Sequence, residues 1–465
     1  MTRRLEVSAD LCANADPASR RRRNRYVSLL MIFLITTLFG VFALRSWQTS
    51  ALGEAVSLVE SRKYREALPV LTKLQRFSLM KDDHRSYLLG LCQEKTGRRD
   101  LAIESWDNLK PGTRFFDDVT LKIAEWFEDE GKLADAEARY RNALSADGPM
   151  KIELRHGLMQ LYWLEGRLDE ARYLLRRNLI DNERKLGPND SRTIAVLRAL
   201  LTLDLEVYPI EHVRKRVEAA ASKSPEDLGV ALARAYLAMR SGQSEEARSI
   251  LAKLDETSPS DTRIAYARFL ESLERGEADV VATSYRNFPI DLPPPGISAR
   301  AAALFAGSHG SMEQAIRILE SCLEKNPGEI AVIERLAEAY VATDQREKAA
   351  TLRSKRLTLD HDRREYAILV NADFLKEASR MADLAERLGR YFEAAAFLRM
   401  SLGKDPGNQG LVERIRHLSG LDESARQNGH YWEMIDSARS ENRIADSGAA
   451  SVSSEARIEP PPAPK

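Results

Sequence analysis

Disulfide chemistry is all but missing from this chain, which carries three cysteines in 465 residues. Cys12 lies in a polar N-terminal stretch, and Cys92 and Cys322 stand on helical segments about 230 residues apart. A bridge between those two would require the chain to fold back on itself, so buried, unreacted thiols are expected. Net charge is also missing: 70 basic residues balance 70 acidic ones, which leaves no global basic field to capture nucleic acid. None of the seven histidines has a second four residues away, so the helix-borne zinc pair is excluded. No Gly-rich phosphate loop follows a strand, and no segment reads as a strand. Glu125, Glu128, Asp129 and Glu130 fall at helical spacing without an enclosing pocket and read as a solvated face. Neither an enzyme, nor a cofactor, nor a metal is expected.

One long apolar run is present. Residues 1–25 read as a disordered tail that ends in Arg20, Arg21, Arg22, Arg23 and Arg25, followed by nineteen uncharged residues, Tyr26 to Leu44. At about 1.5 Å per residue such a helix nearly matches the roughly 30 Å bilayer core, so residues 26–44 are expected to contact lipid as a transmembrane signal-anchor. Seven arginines and three acids precede the run, whereas Arg45 is the only basic residue between Leu44 and Glu60. That bias predicts a cytoplasmic N-terminus and an extracytoplasmic C-terminal domain, periplasmic in a diderm bacterium. The run exceeds the usual apolar region of a cleaved signal peptide, and Thr49 to Ala51 is the first small-x-small site after it. Retention is therefore expected, with Tyr26 and Trp47 at the two interfaces.

The remainder is organised by a helical hairpin whose clearest copy is IAEWFEDEG, Ile123 to Gly131, followed by LADAEARYRNAL, Leu133 to Leu144. Small residues at Ala124 and Ala136 let two amphipathic helices approach closely. The position of Ala136 recurs at Ala67, Ala102, Ala171, Val213, Ala247, Val281, Ala315, Ala349 and Ala394, with spacings of 35, 34, 35, 42, 34, 34, 34, 34 and 45. Twelve residues earlier stand Ala55, Gly90, Ala124, Ala235, Ala303, Ala337 and Ala382, and a turn glycine recurs at Gly97, Gly131, Gly166, Gly242, Gly276, Gly310 and Gly389.

A period of 34 with these small residues resembles the tetratricopeptide repeat family. The copies lack that family's early tryptophan, and Val213 and Val281 replace its small residue. The resemblance implies an all-α, right-handed solenoid of about ten hairpins, here preceded by one transmembrane helix. Residues 48–180 read as about four repeats, 181–192 as an irregular joint or an extended helix, and 193–360 as about five repeats. Residues 361–420 read as a long helical stretch, a final repeat and a cap, and 421–465 as a polar, disordered tail.

The resemblance also implies a concave groove lined by the first helices. Carried over by register, His84, Tyr87, Leu91, Glu94 and Lys95 come from the second repeat, and Asp118, Leu121, Glu125, Glu128 and Asp129 from the third. The fourth supplies Glu153, His156, Gln160, Trp163 and Leu164, the sixth Tyr236, Met239 and Arg240, and the seventh Arg263, Tyr266, Leu270 and Leu273. Leu91, Glu125 and Gln160 stand where a carboxylate-clamping repeat would carry lysine or asparagine. The function expected is a membrane-anchored scaffold that binds a protein or peptide, or else an accessory subunit of an envelope enzyme or secretion assembly. Nucleic acid is not an expected partner.

Overall fold

The computed structural model describes residues 17–77, 82–204, 209–285, 294–426, 431 and 434, without the side chains of 17–30, 32, 33, 35, 38, 41 and 204. Among the described residues there are 21 α-helices and no strand. The first pairs are α1 (Pro17–Glu60) with α2 (Tyr64–Arg76), α3 (Asp83–Lys95) with α4 (Arg99–Trp106), α5 (Arg114–Asp129) with α6 (Leu133–Leu144), and α7 (Lys151–Glu165) with α8 (Leu168–Leu186). Next come α9 (Ser191–Asp204) with α10 (Ile210–Lys223), α11 (Leu228–Arg240) with α12 (Ser244–Thr257), and α13 (Thr262–Arg275) with α14 (Ala278–Tyr285). The last are α15 (Pro295–Ser308) with α16 (Met312–Lys325), α17 (Ile330–Ala342) with α18 (Arg346–Leu369), and α19 (Phe374–Arg387) with α20 (Tyr391–Leu402). A further helix, α21 (Gln409–Arg426), brings the count above what ten hairpins require.

The hairpins form because the sequence stops each first helix and restarts the second within a few residues. Seven of the turns place their glycine in the left-handed region, with φ between 71° and 83°, where a side chain is disfavoured. The first and ninth hairpins put Arg62 and Asp344 there instead, both at φ 58°. Asp82, Asp227, Asp261 and Asp373 open their helices by accepting a hydrogen bond from a backbone N–H of the first turn. Pro294 and Pro295 open α15, where a missing N–H costs nothing.

The close-approach residues of the repeat register are all buried. Ala55, Ala67, Ala102, Ala124, Ala136, Ala171, Ala235, Ala247, Ala349, Ala382 and Ala394 have no exposed surface, and Ala303, Ala315 and Ala337 have at most 6%. Gly90 shows why the site must be small: a Cβ there would lie 2.2 Å from the Trp106 indole nitrogen. Trp106 is itself fully buried and donates that N–H to the Tyr87 carbonyl at 3.0 Å.

Two compact units divide the chain, residues 1–119 and 120–465. In the first, α1 and α2 pack on α3 around Ala51, Ala55, Leu71, Leu74, Leu88 and Leu89. Helix α1 is one continuous helix of 44 residues, so it takes in residues 17–25, the expected span, and the first strut of the first hairpin. Among the described residues no helix is long and apolar enough to cross a membrane. Much of the stretch 26–44 has its side chains outside the described residues; of those described, Met31, Leu34, Phe39 and Phe42 are 50–73% exposed.

In the second unit the chain winds back on itself. Helix α11 packs on α6 and α7 as well as on α12, and Asp227 accepts a hydrogen bond from the Ala134 N–H at 3.3 Å. Gly131 is pressed against α10, where a Cβ would come within 2.4 Å of the Ala220 carbonyl oxygen. The stretch 181–192 is an extension of α8 to Leu186, a turn at Gly187 and the start of α9. The stretch from residue 361 is the far half of α18, followed by α19 as a separate helix. The folded part continues beyond residue 420, where the tail was expected to begin. Helix α21 runs to Arg426, Asn326 donates to the Ala425 carbonyl at 3.2 Å, and Tyr431 is 1% exposed. Cys92 and Cys322 are both free and fully buried.

Gly90→Ala is expected to destabilise the first unit by about 1–3 kcal/mol through overpacking against Trp106. Thermal unfolding of the Gly90→Ala chain checks this, and an unchanged melting temperature would mean the contact is not constraining.

Candidate functional site: a chamber inside the second unit

The inward ends of several helices in the second unit surround a cavity of about 710 Å³, within the size range of ligand sites. Its wall joins Tyr236, Met239 and Arg240 of α11 to Tyr266 and Leu270 of α13. The sequence register placed these five on the groove, and the fold brings them together. Arg363 and Tyr366 of α18, Arg390 just before α20, and Arg172 and Glu170 of α8 close the wall from elements the register did not assign to a groove.

The wall is polar but balanced. Six arginines and five carboxylates line it among the described residues, so no single sign of charge dominates inside. Several are already matched: Arg172 meets Asp169 at 2.7 Å and Arg300 meets Glu274 at 3.1 Å. Glu271 is 6% exposed, and one of its carboxylate oxygens takes no hydrogen bond. Burial pushes its pKa up, and Arg275 opposes that shift. Such a wall offers donors and acceptors in alternation with tyrosine faces. That suits a ligand rich in amides or hydroxyls better than a strongly charged one.

Beside the chamber lies a buried knot of charge. Arg167, 4% exposed, donates to Glu137 at 2.9 Å and Glu165 at 2.8 Å, pairs with Glu170, and stacks 4.0 Å from the Tyr162 ring centre. Arg263 also donates to Glu137, at 2.7 Å, and to Asp261. The register had assigned Arg263 to the groove; its guanidinium instead ties α13 to α6. Burial would raise the Glu137 pKa, but the hydrogen bonds and charges of Arg167 and Arg263 outweigh it and hold the group at about 2. Glu165 is fully buried, and burial pushes it up to about 8 against the pull of Arg167.

The remaining groove candidates do not join this chamber's wall. In the first unit His84 stacks on Phe115 with ring centres 5.3 Å apart, and Tyr87 lies 4.8 Å from the same ring while donating to Asp118 at 3.0 Å. Burial, with help from Asp118, raises the Tyr87 phenol to about 12. Glu94 and Lys95 pair with each other at 3.3 Å on the surface. In the second unit Glu125 is exposed, whereas Glu128 is half-buried and accepts from the Tyr140 hydroxyl at 3.3 Å. Burial lifts Glu128 to about 7. His156 and Gln160 are exposed and 3.1 Å apart, and Trp163 lies 6.4 Å from the His212 ring.

The hairpins, their period and the close-approach residues are those of a tetratricopeptide solenoid, and family models of the tetratricopeptide repeat match residues 121–188 and 308–372. The chain carries tetratricopeptide repeats. A curated relative, "Cellulose synthase operon protein C" of Xanthomonas axonopodis pv. citri (strain 306), is 24% identical over 310 residues. That match covers 63% of this chain but only 20% of the relative, so the chain spans about a fifth of that protein's length. Among solved structures, the Cut9–Hcn1 hetero-tetramer of the APC/C is 14% identical with a TM-score of 0.30, covering 76% of this chain and 66% of that one. Yeast Tom70 is 13% identical with a TM-score of 0.24, covering 88% and 99%.

The charge knot predicts a pH dependence. A carboxyl raised from 4.5 to about 8 adds stability in full below pH 4.5 and loses it as pH rises through 8; Glu128, at about 7, acts in the same sense. Glu137, held near 2, acts oppositely, losing its contribution as pH falls from 4.5 towards 2. Glu165→Gln is therefore expected to flatten the decline in melting temperature between pH 5 and 9 and to leave the acid side unchanged. A variant whose profile parallels the parent's across that range would refute the assignment.

Proposed function

We propose that this chain is a non-enzymatic scaffold that binds a polypeptide partner in the chamber of its second unit. The observation that carries the reading is the convergence of Tyr236, Arg240, Tyr266, Arg363 and Tyr366 on one cavity inside a tetratricopeptide solenoid. An alternating wall of donors, acceptors and aromatic faces suits the amide groups of an extended peptide. The wall's charges are nearly balanced, six arginines against five carboxylates among the described residues, which argues against a nucleic-acid backbone as ligand.

The scaffold is membrane-anchored in this reading, with the N-terminus cytoplasmic and the repeats on the far side. The arginine block, the uncharged run 26–44 and the exposed Met31, Leu34, Phe39 and Phe42 support it. Anchoring confines encounters to the plane of the bilayer and raises the effective concentration of membrane-bound partners. The name of the Xanthomonas relative ties that protein to a cellulose synthase operon. Carried to this chain, it favours an accessory subunit of an envelope assembly, which would co-purify in fixed stoichiometry with its enzyme.

Two experiments test these readings. A partner captured by the detergent-solubilised full chain is expected to be lost with Arg240→Glu and retained with the outward-facing Tyr173→Ala; equal retention by both would remove the chamber as the binding site. A reporter active only outside the cytoplasm, fused after Ala450, is expected to give signal, and activity from a cytoplasmic reporter alone would reverse the topology.

A further inference from the structure

The first hairpin turns back towards the apolar run it grows out of. Helix α1 continues past Leu44 to Glu60, and α2 runs antiparallel to it, so that Ala55 and Ala67 pack midway and the end of α2 returns to the level of Trp47. Phe77 stands edge-on to the Trp47 ring with centres 6.3 Å apart, and its carbonyl accepts a hydrogen bond from Gln48 Nε2 at 3.1 Å. Lys73 lies over the same indole, its Nζ 5.5 Å from the ring centre. Trp47 follows the last residue of the run, Leu44, by three positions, a rise of about 4.5 Å in a helix.

An open recess of about 500 Å³ extends along the last turns of α2, lined by Leu68, Pro69, Thr72, Lys73, Arg76 and Phe77. Phe77 is 52% exposed. Lys73 and Arg76 are exposed too, and among the described residues no carboxylate pairs with either. No acidic residue occurs between Pro17 and Gly53 or between Ala67 and Phe77. The next acids along the chain, Asp82 and Asp83, open α3, where Asp82 is engaged by the His84 N–H at 3.0 Å. Aromatic side chains with a polar edge settle at headgroup level, and lysines and arginines beside a span attract anionic headgroups.

We infer that the end of α2 is a phospholipid contact: Trp47 and Phe77 lie at the headgroup level, and Lys73 and Arg76 hold the phosphate of an anionic lipid in the recess. The inference rests on the membrane-anchored reading and goes beyond it by assigning the first hairpin, and not the run alone, to the bilayer surface. The bilayer is the occupant because α1 passes from the run to Trp47 without a loop, which sets the recess about one helical turn from the end of the run. The guanidinium of Arg76 and the ammonium of Lys73 are the donors that a phosphate takes.

The test uses the full-length chain in vesicles of phosphatidylcholine and phosphatidylglycerol, with a fluorophore on Gln75→Cys or, at the far end of the hairpin, on Ser61→Cys. Both positions are exposed. The background is Cys12→Ser; Cys92 and Cys322 are buried and do not react. Trace lipid carrying a nitroxide near the glycerol end of an acyl chain is the quencher. It is expected to quench the label at position 75 and to spare the one at 61. Nitroxide on phosphatidylglycerol is expected to quench about fivefold more strongly than on phosphatidylcholine, as the attraction of one surface cation confers. Lys73→Gln with Arg76→Gln is expected to bring the two lipids to parity. Equal quenching by both lipids in the parent chain, or none at position 75 in chains that float with the vesicles, would overturn the lipid contact and leave the anchor standing, whatever the double variant does. Chains that fail to float with the vesicles would overturn the anchor and the contact together.

Discussion

Most of the hairpins rest on one steric condition: two helices approach so closely that a small side chain stands between them, with Val213 and Val281 as the larger exceptions. At Ala136 and Ala394 no surface is left exposed, and at Gly90 even a methyl group would collide with Trp106. Burial at these points draws in the larger apolar residues around them, and protein interiors do not tolerate added volume without strain. The condition repeats along the chain at nearly constant interval and so dictates period, helix length and turn position together. It leaves the inner faces of the first helices free to vary, and the chamber is built there.

Where the interval changes, the architecture changes with it. A strict period propagates a solenoid in which each hairpin touches its neighbours. The two stretched intervals break that rule, and their additional residues are spent on contacts between elements far apart in sequence. The long α18 contributes Arg363 and Tyr366 to the chamber, and the long α8 carries Arg176 and Glu183 to α20 and α21. In sequence these stretches looked like interruptions; in space they bring the chain round to meet itself.

What was legible in the sequence follows from the range of the interactions. Ala124 and Ala136 meet across one turn, twelve residues apart, so pattern alone reveals the pair. Tyr236, Arg240 and Tyr266 were also readable, because the register assigns them to the same face of successive hairpins. Arg263 shared that register, yet its guanidinium is captured by Glu137, 126 residues earlier. No local pattern encodes that partner. The same holds for Arg167, which follows the turn glycine Gly166 and which the packing of α6, α7 and α8 buries among carboxylates. Burial of charge is a property of what surrounds a residue, and the surroundings here come from remote parts of the chain.

The continuity of α1 carries a mechanical consequence. One unbroken helix of 44 residues, roughly 66 Å long at 1.5 Å per residue, contains both the apolar run and the first strut of the repeat array. No proline or glycine pair interrupts it between Arg45 and Glu60, so there is no swivel at the junction. The apolar run is therefore joined to the Ala55–Ala67 contact by continuous helix, with no loop between them. The helix is thus a continuous helical strut in place of a loop linker, and the direction in which the run leaves the first hairpin is set by the packing of α1 against α2 and α3.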